Sequence, residues 1–237
     1  MPKAAEHVTA LLAGLREKRG YLLPHHGLMA VAAPELLAAY DATYTALTLR
    51  DRALTLYEKE IVWLIILVST GEAIATHHID RLRSAGGGEA EVAAALAYSA
   101  WADGAERHRF VARHWSPHLD GFDAVASYRH GLELLRGHHG TEPWILEIGL
   151  AAAHQCHRRW EWVEEHLVGA YAAGAREEAI AEGLSLAMFP GGVPNFVDAC
   201  EVWRGLIGAG KVPASEPFRT WAEMTGQGGF DEASGAS

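Results

Sequence analysis

The chain has 237 residues, of which 49% are hydrophobic and 21% charged, a composition that suits one or two compact domains and excludes collagen-like and disordered chains. Twenty basic against thirty acidic side chains leave a formal charge of −10, so we expect no nucleic-acid partner. Two cysteines, Cys156 and Cys200, are too few for a disulfide scaffold or a cysteine zinc site, and a reducing cytoplasm fits them best.

The hydrophobic pattern predicts an all-α protein, because apolar residues recur at spacings of three and four and β-branched alternation is nearly absent. Breaks between helices are expected at residues 23–27, 86–88, 116–117, 137–140 and 190–194, where Gly and Pro cluster. The most apolar run, residues 61–68, is predicted to be a buried helix segment, since it is far shorter than the ~20 residues of a membrane span. We expect neither a membrane segment nor an export signal.

Sliding the chain by 88 residues brings several chemically distinct residues into one ungapped register, which predicts an internal duplication. The pairs include His78 with His166, Gly86 with Gly174, and Trp115 with Trp203. Each copy is expected to contain an apolar helix, a break, and a helix that opens near the His and closes at the Gly. We predict a first module with an N-terminal helix at residues 1–120, a second at 121–224, and a flexible tail at 225–237.

Two stretches, residues 59–69 and 77–86, resemble the core of the carboxymuconolactone decarboxylase and alkylhydroperoxidase D superfamily. The second copy resembles the decarboxylase branch more closely, through residues 159–161, His166, residues 174–178 and residues 190–195. The resemblance covers residues 30–210 and implies two tandem, pseudo-symmetric helical modules in a homo-oligomer with trimeric or pseudo-hexameric packing.

In the peroxidase branch the resemblance implies a CxxC pair whose second Cys lies four residues before the His. Here those positions hold Gly71 and Ile74 in the first copy, or Glu72 and Ala75 after a shift of one residue. In the second copy they hold Arg159 and Trp162. Without a thiolate at these positions we expect no thiol peroxidase or disulfide reductase activity.

A Glu and a His recur at matching places in the two copies, Glu60 with His78 and Glu147 with His166. Because histidine titrates near neutrality and a carboxylate fixes its orientation, each pair is a candidate for general acid–base catalysis. The alternative is that each pair is a polar contact between helices that serves only the fold.

The candidate substrate-binding residues flank these pairs, and they are Trp63, Glu72, His77, Trp160 and Glu161. Trp160 could equally be a core or interface residue, since large aromatic side chains dominate buried contacts. His154 and His157 share a helix face and, with Glu147 or Glu161, provide an alternative metal site, although the chain has no compact ligand motif.

The leading hypothesis is a carboxy-lyase or isomerase, free of cofactor and metal, that acts on a small carboxylated lactone or enolisable acid. His78 or His166 would be the general acid or base, and Glu60 or Glu147 would orient it. A catalytically silent binding or scaffold protein of the family is the second hypothesis. A metal-dependent enzyme that uses the extra histidines is the third.

Overall fold

The computed structural model describes residues 5–229, 232 and 235, and these fall into two compact units that divide between Arg50 and Asp51. No strand occurs within the described residues, so the all-α prediction is confirmed. The rest of the predicted tail, together with residues 1–4, lies outside the described residues.

The first unit contains three helices, α1 (Ala5–Arg19), α2 (Pro24–Ala32) and α3 (Pro34–Tyr44), followed by a π-helical turn at Thr45–Leu49. Its apolar core joins Leu15, Ala30 and Leu37 from the three helices. The break predicted at residues 23–27 lies largely within α2, because Pro24 occupies the first turn, where proline loses no helical hydrogen bond.

The second unit contains the remaining helices. They are α4 (Leu56–Thr70), α5 (His77–Ser84), α6 (Glu89–Asp103), α7 (Ala105–Trp115), α8 (Ala124–His139), α9 (Pro143–Cys156), α10 (Trp160–Ala172), α11 (Glu177–Leu186), α12 (Met188–Gly191), α13 (Val193–Gly208) and α14 (Glu216–Glu223). A 3-10 turn at Ser116–His118 follows α7. The break predicted at residues 137–140 is in fact the last turn of α8 and its cap, since Gly140 adopts the left-handed conformation that ends a helix.

The core of the second unit is built on α4 and α9, which pack against each other. Every residue from Lys59 to Leu67 in α4 is buried, as is nearly every residue from Ile145 to Gln155 in α9. The two helices approach so closely that a Cβ on Gly149 would lie 2.6 Å from Cδ1 of Ile65. α5 and α6 pack on α4, and α10 and α11 pack on α9. Each central helix directs one carboxylate toward the helix that follows it, Glu60 from α4 toward α5 and Glu147 from α9 toward α10.

Candidate active site: two buried glutamate–histidine pairs

The first Glu–His pair joins α4 to α5. Nδ1 of His78 lies 2.6 Å from Oε2 of Glu60, and the two residues are 2% and 0% exposed. The start of α4 is fixed by a capping box, in which Thr55 accepts from the Glu58 backbone and the Glu58 carboxylate accepts from the Thr55 N–H. The structure brings Glu60 and His78 together away from solvent, where a charge on either side chain costs free energy.

Burial decides the protonation of the first pair. It raises the pKa of Glu60 to about 8, against the smaller opposing charges of Arg81 and Lys59. It lowers the pKa of His78 to about 3, and the charge of Arg81 acts in the same direction. At neutral pH the pair is thus a carboxylic acid that donates its proton to Nδ1 of a neutral imidazole. The proton of that imidazole is then on Nε2.

Aromatic rings surround the imidazole of His78. The Trp63 ring lies 4.7 Å and the His77 ring 4.4 Å from it, between centroids. Trp63 is 2% exposed, and its Nε1 has no hydrogen-bond partner among the residues that the structure describes. Of the substrate-binding candidates in the first copy, the structure therefore brings Trp63 and His77 to the pair.

Glu72 lies in the connection between α4 and α5. Its carboxylate accepts a hydrogen bond from the backbone N–H of Ile74 at 3.4 Å. With Leu64, Ile79 and neighbouring side chains it lines an apolar groove of about 240 Å³. Glu72 is exposed on this groove and contributes its only carboxylate.

The second Glu–His pair joins α9 to α10 with the same geometry. Nδ1 of His166 lies 2.7 Å from Oε2 of Glu147, and His166 is fully buried. Arg129 reaches from α8 to bind the other oxygen of Glu147, and its Nε donates to Glu165 at 2.9 Å. Burial alone would raise the pKa of Glu147, but the charges and hydrogen bonds of His166 and Arg129 hold it below the ordinary value. This carboxylate is ionised.

Two further residues, Tyr128 and His154, complete the second site. The sequence analysis did not name Tyr128, and it named His154 only as a possible metal ligand. The Tyr128 hydroxyl lies 2.9 Å from Nε2 of His166 and 3.3 Å from Nε2 of His154. The two imidazole rings stack, with centroids 5.3 Å apart. Sequence signals for both exist: the shift of 88 residues pairs Tyr40 with Tyr128, and His154 is two helical turns after Glu147.

Trp160 and Glu161 lie at the start of α10 and have their contacts elsewhere. Arg158 lies over the half-buried Trp160 ring at 5.9 Å, and the exposed Glu161 carboxylate pairs with Arg109. The indole that contacts the second site is Trp162, at one of the two positions where the peroxidase branch has cysteine. It is fully buried, 4.5 Å from the Tyr128 ring.

The histidines proposed as metal ligands point in different directions. His154 faces Tyr128, whereas His157 is exposed and bonds to Ser69 at 3.0 Å. Within the described residues no group of three or more His, Cys, Asp or Glu side chains is placed to hold a metal ion. Burial also raises the pKa of the Cys156 thiol to about 12, so that this cysteine is not a thiolate at neutral pH.

The fold and the two pairs define an all-α protein with carboxyl–imidazole dyads buried between helices. Residues 34–115 match the family model described as the carboxymuconolactone decarboxylase family, so the predicted resemblance is confirmed over this stretch, which includes Glu60 and His78. The match indicates a function of the carboxymuconolactone decarboxylase or alkylhydroperoxidase D type. No curated protein and no solved structure matches the chain. None of the helices in the described part of the chain combines the length and apolar character that crossing a bilayer requires.

Proposed function

We propose that the chain is a carboxymuconolactone decarboxylase-like lyase or isomerase that acts on a small carboxylated lactone or related enolisable acid by general acid–base catalysis. The observation that carries this proposal is the 2.6 Å contact between Glu60 and His78. The pair is buried beside an indole, lies inside the stretch that matches the family, and holds a transferable proton at neutral pH.

The first pair suits the protonation step of a decarboxylation. When a carboxylate leaves as CO₂, the two electrons of the broken C–C bond form an enolate, which must then take a proton on carbon. Nε2–H of His78 would supply that proton while Nδ1 takes the proton of Glu60, so that the imidazole stays neutral throughout. Glu60 is left as a carboxylate and is reprotonated from solvent. The Trp63 wall keeps bulk water from competing for the enolate.

We also propose that the chain contains two duplicated modules, at residues 1–120 and 121–224. The helix ends at the two histidines support this. The N–H of Gly87 bonds to the carbonyl of Leu82, and the N–H of Ala175 to that of Ala170, both at 2.9 Å, and the two bonds are 88 residues apart. Both are the 6→1 bonds of a Schellman cap. Gly86 and Gly174 adopt positive φ at equivalent places.

The proposed assembly is a cytoplasmic homo-oligomer with neither a nucleic-acid nor a membrane partner. Exposed apolar side chains in the second unit support self-association, because apolar side chains that lie together at the surface commonly mark contacts between proteins. Ile74, between two residues that line the groove, and Leu96 on α6 are 54% and 58% exposed.

An assay of carboxylated lactones tests the proposed activity. The tag-free protein, with its metal content measured, is supplied with a panel of small carboxylated lactones and β-keto acids, and CO₂ release and loss of substrate absorbance are followed. His78→Gln and Glu60→Gln are expected to lower kcat by at least about 100-fold, the usual contribution of a general acid. His130→Gln, a matched change at an exposed histidine of α8, is the control.

Full activity in His78→Gln would contradict the proposed role of the first pair. No turnover of any lactone or enolisable acid by the wild-type protein would favour the silent binding protein instead. Stoichiometric metal in the active preparation would favour the metal-dependent enzyme.

A further inference from the structure

The second pair is part of a longer chain of hydrogen-bonding side chains, which runs from Glu147 through His166 and Tyr128 to His154. All four residues are buried or nearly so. The chain ends on Nδ1 of His154, which is buried and has no hydrogen-bond partner among the residues that the structure describes. A buried polar atom without a partner is rare, and this nitrogen can gain or lose a proton without breaking a hydrogen bond.

The geometry permits two complete arrangements of the protons. In the first, Nδ1–H of His166 donates to the ionised Glu147, Nε2 of His166 accepts from the Tyr128 O–H, and the Tyr128 oxygen accepts from Nε2–H of His154. His154 then has a bare lone pair on Nδ1. Every other contact in the chain joins one donor to one acceptor, as a neutral imidazole requires.

The second arrangement contains one more proton. If His154 takes a proton on Nδ1, its Nε2 proton passes to the Tyr128 oxygen and the Tyr128 proton passes to Nε2 of His166. His166 becomes an imidazolium beside the Glu147 carboxylate, and His154 stays neutral with its proton on Nδ1. Again each contact joins one donor to one acceptor, and Tyr128 begins and ends as a neutral phenol.

We propose that Tyr128 is a relay that couples the protonation of His166 to a switch of tautomer at His154. The inference deepens the proposed acid–base function at the second site and rests on it for its purpose. Tyr128 is a positioning residue in this scheme, since it acts on a reaction only through His166.

The charges around the chain favour the histidine next to Glu147 as the place where the extra proton resides. Burial, followed by the charges of His166 and Arg159, lowers the pKa of His154 well below its ordinary value. Burial also raises the pKa of Tyr128, so the hydroxyl keeps its proton between transfers. The other titratable or charged groups that face these four residues are His108 and Arg109 on α7, Arg129 on α8, His157 at the end of α9 and Glu165 on α10.

The test is a titration of the protein labelled with ¹⁵N-histidine, followed by long-range ¹H–¹⁵N correlation spectra, which report the tautomer and charge of each imidazole. His154→Gln and His166→Gln assign the two sets of signals. As protons are added, the wild-type protein is expected to show His154 changing from the Nε2–H to the Nδ1–H tautomer in step with the gain of a proton by His166.

Two variants separate a relay from a merely structural hydroxyl. Tyr128→Phe keeps the ring but removes the relay, so His166 is expected to gain charge while the tautomer of His154 no longer follows it. Tyr171→Phe, which removes a hydroxyl bonded to Glu177, is the matched control and should leave the coupling intact.

A His154 tautomer that stays fixed across the wild-type titration would overturn the proposal, even if Tyr128→Phe fails to fold. A coupled switch that persists in Tyr128→Phe would overturn it as well. The spectra need no substrate, so a failure of the lactone assay leaves this result untouched, and a failure of the relay leaves the first pair as the proposed acid.

Discussion

The two Glu–His pairs have nearly the same geometry and hold their protons differently. The Nδ1–Oε2 distances are 2.6 and 2.7 Å, and both imidazoles are buried. Yet Glu60 keeps its proton at neutral pH, whereas Glu147 is ionised. The pairwise contact therefore does not decide the chemistry of a pair.

The difference comes from the side chains around each pair. Arg129 binds Glu147 directly and repays the cost of burying its charge. At the first site Lys59 pairs with Glu182, 2.8 Å away, and the charges of Arg81 and Lys59 act on Glu60 less strongly than burial does. The imidazoles differ too, since His78 faces the Trp63 ring and His166 faces the Tyr128 hydroxyl. The first site is thus suited to donate a proton, and the second to hold one along a chain of partners.

The largest expected effect follows from removing the cation of the second pair. Arg129→Met leaves the Glu147 carboxylate buried beside a single imidazole, and we expect a loss of about 3 kcal/mol in the free energy of unfolding. The double variant Arg129→Met with Glu147→Gln should recover most of this loss, because the more buried of the two carboxylates that Arg129 binds is then gone, and the other, Glu165, is partly exposed to water. Urea denaturation measures each value.

Arg136→Met is the matched control for this prediction, since Arg136 pairs with Glu133 at the surface of the same helix. A surface pair of this kind is worth less than about 1 kcal/mol, so the control should be nearly neutral. Equal losses in the single and double variants at the second site would show that Arg129 stabilises the fold by packing and not by its charge.

The second prediction concerns the pH dependence that the first pair imposes on stability. The pKa of Glu60 is raised from 4.5 to about 8, and that of His78 is lowered from 6.5 to about 3. Between pH 4.5 and 6.5 the pair binds one proton in the folded state and one in the unfolded state, so its contribution to the free energy of unfolding does not change with pH. Above 6.5 only the folded pair keeps its proton, so stability falls by about 2 kcal/mol as the pH rises to 8. Below 4.5 the unfolded pair binds more protons, and stability falls again.

Glu60→Gln is expected to remove the alkaline part of this fall, since glutamine has no proton to lose. Glu147→Gln is the matched comparison: the pKa of Glu147 is lowered, so its stabilisation is present above 4.5 and lost on acidification. Denaturation of both variants across this pH range checks the signs. An alkaline fall of unchanged size in Glu60→Gln would mean that Glu60 is already ionised in the folded protein.

The sequence predicted the parts of the fold and of the site that repeat. The 88-residue register was enough to find His78 and His166, and Glu60 and Glu147 lie one residue out of that register at matching places in the two copies. The structure brings both pairs together. The sequence could not show the protonation state of either pair, because that state depends on burial and on side chains from other helices. Arg129 is one of many arginines in the sequence, and only the packing of α8 near α9 and α10 singles it out.

Local patterns were less reliable at the helix starts. The Trp-Glu dipeptide at residues 160–161 suggested a pocket wall, but α10 begins at Trp160 and its first turn directs Trp162 inward in place of either residue. Three consecutive residues at a helix start point about 100° apart, so one position of error changes which side chain reaches the site.

The smallest expected effect is at the C-terminal ends of the two central helices. α4 and α9 end with the same 6→1 hydrogen bond, from Glu72 to Leu67 and from Arg159 to His154. The residue before the donor of this bond has a left-handed backbone at both helix ends. It is Gly71 at the end of α4, with φ of 68°, and Arg158 at the end of α9, with φ of 57°. A side chain in this conformation costs roughly 1 kcal/mol, and glycine avoids that cost.

Gly71→Ala should therefore lower the free energy of unfolding by roughly 1 kcal/mol, since a Cβ there meets no atom within 4 Å and the cost is conformational alone. At the other helix end the relevant comparison is Arg158→Gly with Arg158→Ala, because both variants lose the ion pair with Asp198. Glycine should be the more stable of the two by a similar amount. If urea denaturation gave the same stability for both, the backbone at residue 158 would relax once the arginine is removed, and the two helix ends would not be equivalent.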